Sequence, residues 1–116
     1  MKPVLAAAFI VLSGAALADP LAIDLPEAAS AERSTVAYSC DGDRKVTAEY
    51  INAGDNALAV VDLGDARVLM VNVISGSGAR YAGRQYIWWT KGETADFYDL
   101  MKGDDAAPEF SCEVTK

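Results

Sequence analysis

Val46, Ala48 and Tyr50 alternate with Lys45, Thr47 and Glu49, and this period of two constrains the chain more than any other feature. Successive side chains of an extended strand point to opposite faces, so such a run reads as a half-buried strand. From Ser34 onward the pattern recurs in short runs separated by turn residues. Val36, Tyr38 and Cys40 share one face of the first run, and Asp41-Gly42-Asp43 turns the chain. A turn cluster at Asn52-Ala53-Gly54-Asp55-Asn56 follows the second run, and Leu63-Gly64-Asp65 makes a tight turn after residues 58–62. Residues 67–74 are the most β-rich stretch, broken by Ser75-Gly76-Ser77-Gly78. Residues 80–82 are short and extended, and Gly83 is expected to turn the chain into an aromatic strand over residues 85–90. Residues 94–101 favour a strand, with one helical turn as the alternative; residues 102–108 form a polar loop, and residues 110–114 close the fold. About eight short antiparallel strands at regular spacing indicate a barrel or a sandwich. Full closure would remove exposed strand edges.

The N-terminus has the layout of an export signal. Lys2 supplies the positive region, residues 4–12 the apolar region, and Ala16-Leu17-Ala18 a small-x-small cleavage site. Residues 1–18 are therefore expected to be removed, and the apolar run falls short of the roughly 20 residues a membrane span needs. No cysteine directly follows the cleavage site, so no lipid anchor is apparent and a periplasmic or secreted location is expected. Residues 19–33, rich in Ala, Pro and acidic side chains, are expected to be a flexible lead-in, and residues 34–116 the folded domain. A domain of this size buries a modest core, and a covalent staple would help it. Cys40 and Cys112 are the two cysteines of the chain. In an exported protein an even count favours a disulfide.

The formal charge of −7 disfavours nucleic acid and anionic membrane surfaces and favours encounter with a basic protein. The chain contains no histidine. That excludes Ser-His-Asp and Cys-His catalysis and histidine-ligated zinc. Asp41, Asp43, Asp62 and Asp65 sit at turns, where solvated carboxylates are ordinary. Neither the Asp41/Asp43 cluster nor the Asp104/Asp105 cluster matches a twelve-residue calcium loop. No metal or cofactor is expected, and an enzymatic role is disfavoured.

Two stretches lie close together: Ser77-Gly78-Ala79-Arg80-Tyr81, and Tyr86-Ile87-Trp88-Trp89-Thr90-Lys91-Gly92. The first is a glycine-bent loop. The second is a strand that delivers a lysine to its tip. A hydroxyl and an ammonium on neighbouring loops suit insertion into a pocket lined with carboxylates. Trp88 and Trp89 must point to opposite faces of their strand. One belongs to the core, and the other covers a barrel end or meets a partner; the alternation does not say which.

With both loops in place, the chain resembles the MliC/PliC family of bacterial inhibitors of c-type lysozyme. The resemblance runs from about Val36 to Cys112. It is carried by Tyr38-x-Cys40 before a glycine turn, Ser77-Gly78-x-x-Tyr81, the aromatic strand ending in Thr90-Lys91-Gly92, and the terminal cysteine. It implies a small, flattened, eight-stranded antiparallel β-barrel, all-β and lipocalin-like in architecture, with one disulfide between its ends. It also implies a c-type lysozyme as partner, with two loops entering the lysozyme cleft. The motif serine matches Ser77 rather than Ser75, because only Ser77 has a tyrosine four residues on, and the motif lysine matches Lys91. Gly78 and Gly92 let the backbone bend near the cleft wall. Tyr81 is expected to prop the first loop by packing and a hydroxyl bond, and Thr90 to orient the second. The chain looks like the soluble branch of the family. The rival reading is a small periplasmic lipocalin-like barrel that carries a ligand, although the apolar faces look sufficient to fill the interior.

Overall fold

Most strands in this chain are joined by short turns that return the chain alongside, with a longer connection only between residues 99 and 110, and the result is an up-and-down meander. The computed structural model describes residues 20–25 and 30–116, so the expected export signal and its cleavage site lie outside the described residues. Eight strands run in chain order: β1 (Glu32–Cys40), β2 (Arg44–Ala53), β3 (Asn56–Asp62), β4 (Arg67–Val73), β5 (Ala79–Gly83), β6 (Tyr86–Lys91), β7 (Thr94–Asp99) and β8 (Phe110–Val114). Every neighbour is antiparallel, and β8 returns to β1 to close the barrel. Closure decides between the two architectures that strand spacing allowed.

Inward positions follow the predicted parity. Tyr38, Val46, Ala48, Ala59, Val61, Val68, Met70, Tyr81, Trp88, Phe97 and Phe110 form one buried cluster. Aromatic rings fill most of its volume. Tyr38 meets Trp88 edge to face with centroids 5.1 Å apart, and Phe97 stacks on Phe110 at 4.9 Å. Such pairs add modestly to what area burial already contributes. Three polar tips inside are paired: the Trp88 indole N–H donates to the Tyr50 hydroxyl at 2.9 Å, and that hydroxyl lies 2.7 Å from the Tyr38 hydroxyl. Among the described residues no buried side-chain nitrogen or oxygen lacks a partner.

The seam is narrow. β1 and β8 share three residue pairs, Tyr38 with Val114, Ser39 with Glu113, and Cys40 with Cys112. The last of these is the disulfide, joining residues 72 apart in sequence. It fastens the first strand to the last at the place where the ladder is shortest of support from local turns.

Two expectations need adjustment, and one open alternative is resolved. β1 begins at Glu32, not Ser34, because Glu32 and Arg33 pair with Asn52 and Ile51 and Arg33 forms an ion pair with Glu49 at 3.1 Å. Gly83 lies inside β5 rather than turning the chain. A Cβ there would meet the Leu69 carbonyl oxygen, so this glycine serves close approach of β4, while Arg84 takes the left-handed turn at φ 55°. Residues 94–101 satisfy both alternatives in succession: β7 ends at Asp99, whose side chain accepts from the Met101 N–H and starts a single 3₁₀ turn, Leu100–Lys102.

Candidate functional site

The β5–β6 hairpin explains why the two loops meet. Ala79 pairs with Thr90, Arg80 with Trp89, and Tyr81 with Trp88. Ser77 and Gly78 immediately precede Ala79, and Lys91 and Gly92 immediately follow Thr90, so one register brings all four to the same barrel rim. Ser77, Gly78, Lys91 and Gly92 are all exposed there.

The two loops touch. Gly78 has φ +65°, a left-handed conformation that L side chains rarely adopt. A Cβ at this position would collide with the Thr90 carbonyl oxygen and lie 2.8 Å from Lys91 Cγ. The first loop therefore rests backbone-on-backbone against the second, and glycine is what allows it. Gly92 also has positive φ, +62°, but nothing lies within 4 Å of a Cβ there; its need is conformational only.

Side-chain hydrogen bonds fix the rest. The Ser75 hydroxyl donates to the Gly78 carbonyl at 3.2 Å, which closes the first loop on itself and gives the neighbouring Ser-Gly doublet a structural task. Thr90 Oγ1 donates to the Ala79 carbonyl at 3.4 Å, tying β6 to the foot of the first loop. Thr94 Oγ1 donates to the Lys91 carbonyl at 2.9 Å and holds the second turn from its far side. The Trp89 indole N–H donates to the Ser77 carbonyl at 2.9 Å, and Lys91 Nζ lies 4.8 Å from the centroid of the same ring.

Electrostatically, Lys91 is a cation without an anion. Among the described residues the ion pairs engage Arg33, Arg67, Lys102 and Lys116, and none involves Lys91. An ammonium on an otherwise acidic protein, set at a rim and left unneutralised, is available to a carboxylate brought by another molecule.

Tyr81 stands apart from its expected role. It is buried, 7% exposed, with its ring tilted against Tyr50 at 5.7 Å between centroids. Burial pushes its phenol above the ordinary range. Its hydroxyl makes none of the side-chain hydrogen bonds of the described residues, so it supports the hairpin from inside the barrel by packing alone. The tryptophan question resolves as Trp88 inward, fully buried, and Trp89 outward, half-buried beside the loops. Ser75 and Thr94 are residues that sequence reasoning left without a role here, and it did not foresee that Trp89 bonds the first loop. The shared outward parity of Trp89 and Lys91, two residues apart on one strand, was the available signal for Trp89.

Among the described residues no group of three or more His, Cys, Asp or Glu side chains is arranged to hold a metal ion. The Asp41 carboxylate, one of the acids set aside above, accepts from the Ser111 backbone N–H at 2.9 Å and so serves the β8 junction.

Comparison with known proteins places the chain in a family. The sequence profile described as membrane-bound lysozyme-inhibitor of c-type lysozyme matches residues 38–106. A membrane-bound lysozyme inhibitor of C-type lysozyme from Pseudomonas aeruginosa is 48% identical over 89 residues, which is 76% of this chain and 70% of that protein. Its counterpart from Cupriavidus necator is 48% identical over 73 residues, covering 63% of this chain and 58% of that protein. Among solved structures, Pseudomonas aeruginosa MliC in complex with hen egg white lysozyme matches with a TM-score of 0.70 and 41% identity, over 85% of this chain and 99% of that one. With the profile match over residues 38–106 and 48% identity to the Pseudomonas aeruginosa protein, the chain belongs to the family of membrane-bound lysozyme inhibitors of c-type lysozyme.

Proposed function

We propose that this protein inhibits c-type lysozyme by seating the Ser77 and Lys91 loops in the enzyme's cleft, where Lys91 pairs with the catalytic carboxyl groups. The observation that carries the reading is the Lys91 ammonium at one rim of the barrel, outside every ion pair of the described residues, with its stem beside Gly78 and its Nζ over the Trp89 ring. The MliC relative solved with hen egg white lysozyme supports the choice of partner. C-type lysozyme cleaves glycan with two carboxyl groups, one acting as acid and the other as nucleophile or stabiliser. An ammonium offers three donors in a compact volume, and hydrogen bonds between ionised partners are the strong kind. The Ser77 hydroxyl donates to a carboxylate while accepting from a neighbouring donor. Gly78 and Gly92 keep the tips narrow, Thr90 holds the strand between them, and Tyr81 packs beneath. Glycan is excluded by occupation, with no reaction on the inhibitor.

The ligand-carrier reading fares worse because the barrel interior is occupied. Trp88, Met70, Val46, Val61 and Val68 are fully buried within it.

We further propose that the protein acts as a released periplasmic or secreted form. Both cysteines are committed to the Cys40–Cys112 bond, which leaves neither to carry a lipid. Recovery in the osmotic-shock fraction is expected; recovery only in detergent-extracted membranes contradicts the released form.

The inhibitor reading is tested by titrating the purified protein into a cell-wall lysis assay with a c-type lysozyme. Lysis should stop near stoichiometric ratio with the wild type and persist with Lys91→Ala. Equal potency of the wild type, Lys91→Ala and Ser77→Ala removes the site assignment.

A further inference from the structure

The indole of Trp89 does two separable things at the rim. Its edge donates a hydrogen bond to the Ser77 carbonyl at 2.9 Å, and its face lies 4.8 Å from the Lys91 ammonium. Arg80, its cross-strand partner on β5, stands 5.5 Å from the same ring. Trp89 thus contacts both loops that the proposed function requires, one through the backbone and one through the side chain.

Geometry makes tryptophan well suited to this place. The indole N–H lies in the ring plane, so it reaches a carbonyl while the π-face stays free for a cation. Phenylalanine would keep the face and lose the edge; leucine would lose both. Lysine otherwise carries large rotamer freedom, and ordering such a side chain on binding opposes affinity. A ring that already holds the ammonium beside a pinned serine loop removes part of that opposition before the partner arrives.

We propose that Trp89 is a positioning residue: by clamping the Ser77 loop with its N–H and the Lys91 ammonium with its ring, it sets the spacing of the two groups in the free protein, so that they engage lysozyme as one unit. The proposal rests on the inhibitor reading above. It differs from two simpler roles, a ring that only covers the outer barrel wall beside Tyr98 and a ring that itself contacts lysozyme.

The test combines affinity for a c-type lysozyme with a measurement on the protein alone. Trp89→Phe should weaken binding about 3- to 10-fold, the scale of one net hydrogen bond. Trp89→Leu should weaken it further, by about another 2- to 5-fold, the scale of an exposed cation–π contact. Melting temperatures should stay near that of the wild type. The Trp89→Phe loss should largely vanish in a Ser77→Ala background, and the additional leucine loss in a Lys91→Ala background, because interacting residues are non-additive. In the free protein, NMR of the Trp89 indole proton should show slower hydrogen exchange than an exposed indole. Unchanged affinity of Trp89→Phe and Trp89→Leu overturns the proposal, as does full additivity, which marks direct contact with the enzyme. If a variant fails to fold, the indole exchange of the wild type decides: exchange at the rate of an exposed indole overturns the clamp. Failure of the inhibitor reading appears separately, as equal affinity of the wild type, Ser77→Ala and Lys91→Ala.

Discussion

The barrel is held at its seam and at its active rim by different means. At the seam, β1 and β8 share three residue pairs, and a covalent bond between Cys40 and Cys112 secures them. At the rim, the Ser77 and Lys91 loops are joined by backbone contact at Gly78 and by hydrogen bonds from Trp89 and Thr90, while Ser75 and Thr94 each brace one loop internally. The seam keeps a small chain folded, where a lost contact would open the whole ladder. The rim sets a distance between two chemical groups and does so by non-covalent contacts that leave both exposed. Damage at the seam should therefore appear as lost stability, and damage at the rim as lost affinity.

The largest expected effects separate the two. Replacing Cys40 and Cys112 by Ala should lower stability by about 4 kcal/mol, from a loop of this length. Denaturant unfolding measures it, and potency should be nearly intact where the variant is folded. Lys91→Ala should do the reverse: about 2–5 kcal/mol of binding lost with the melting temperature nearly unchanged. A cysteine variant that keeps its stability, or a Lys91 variant that melts early, breaks the comparison.

Two glycines sharpen it. Gly78→Ala and Gly92→Ala both place a side chain at positive φ, which disfavours each by about 1–2 kcal/mol. Only at Gly78 does the new methyl also strike the Thr90 carbonyl and Lys91. Gly78→Ala should thus lose more inhibition than Gly92→Ala, and equal losses in a lysis assay would mean that loop-to-loop contact does not matter. Ser77→Ala should have a smaller effect on affinity, about 1–2 kcal/mol.

A last effect lies in the barrel interior and depends on pH. Burial raises the Tyr38, Tyr50 and Tyr81 phenols above their ordinary range. The unfolded chain then gives up phenolic protons first as pH rises past about 10, so the native state binds more protons and stability falls with pH. Below that value these three groups leave stability flat. Melting temperatures measured between pH 8 and 11.5 should show the decline, and a flat profile would contradict the burial of these hydroxyls.

How far the sequence revealed the molecule follows from what alternation encodes. Strand positions and the inward set were legible because each turn restarts a period of two, as in Val46, Ala48 and Tyr50. The cysteine pair was legible from compartment and number. Gly83 was misleading because glycine serves both turning and close approach, and only the neighbouring β4 backbone tells the two apart. Alternation placed Trp88 and Trp89 on opposite faces without saying which was inward; the choice depends on the partners Tyr81 and Phe97 across the ladder. The bond from Trp89 to the Ser77 carbonyl has no signature in sequence, since a carbonyl carries no residue identity and its place depends on the β5–β6 register.

The hydroxyl and indole trio inside the barrel has a consequence for folding. A slip of β1 along β2 by two residues would keep every apolar side chain on its proper face, so hydrophobic burial alone distinguishes poorly between the native pairing and its even-numbered neighbours. Such a slip would carry Tyr38 roughly 7 Å from its place beside Tyr50, stranding its hydroxyl in an oily interior. The chain Trp88–Tyr50–Tyr38 thus acts as a combination lock with few accepted settings, and it rejects misaligned barrels that greasiness by itself would tolerate.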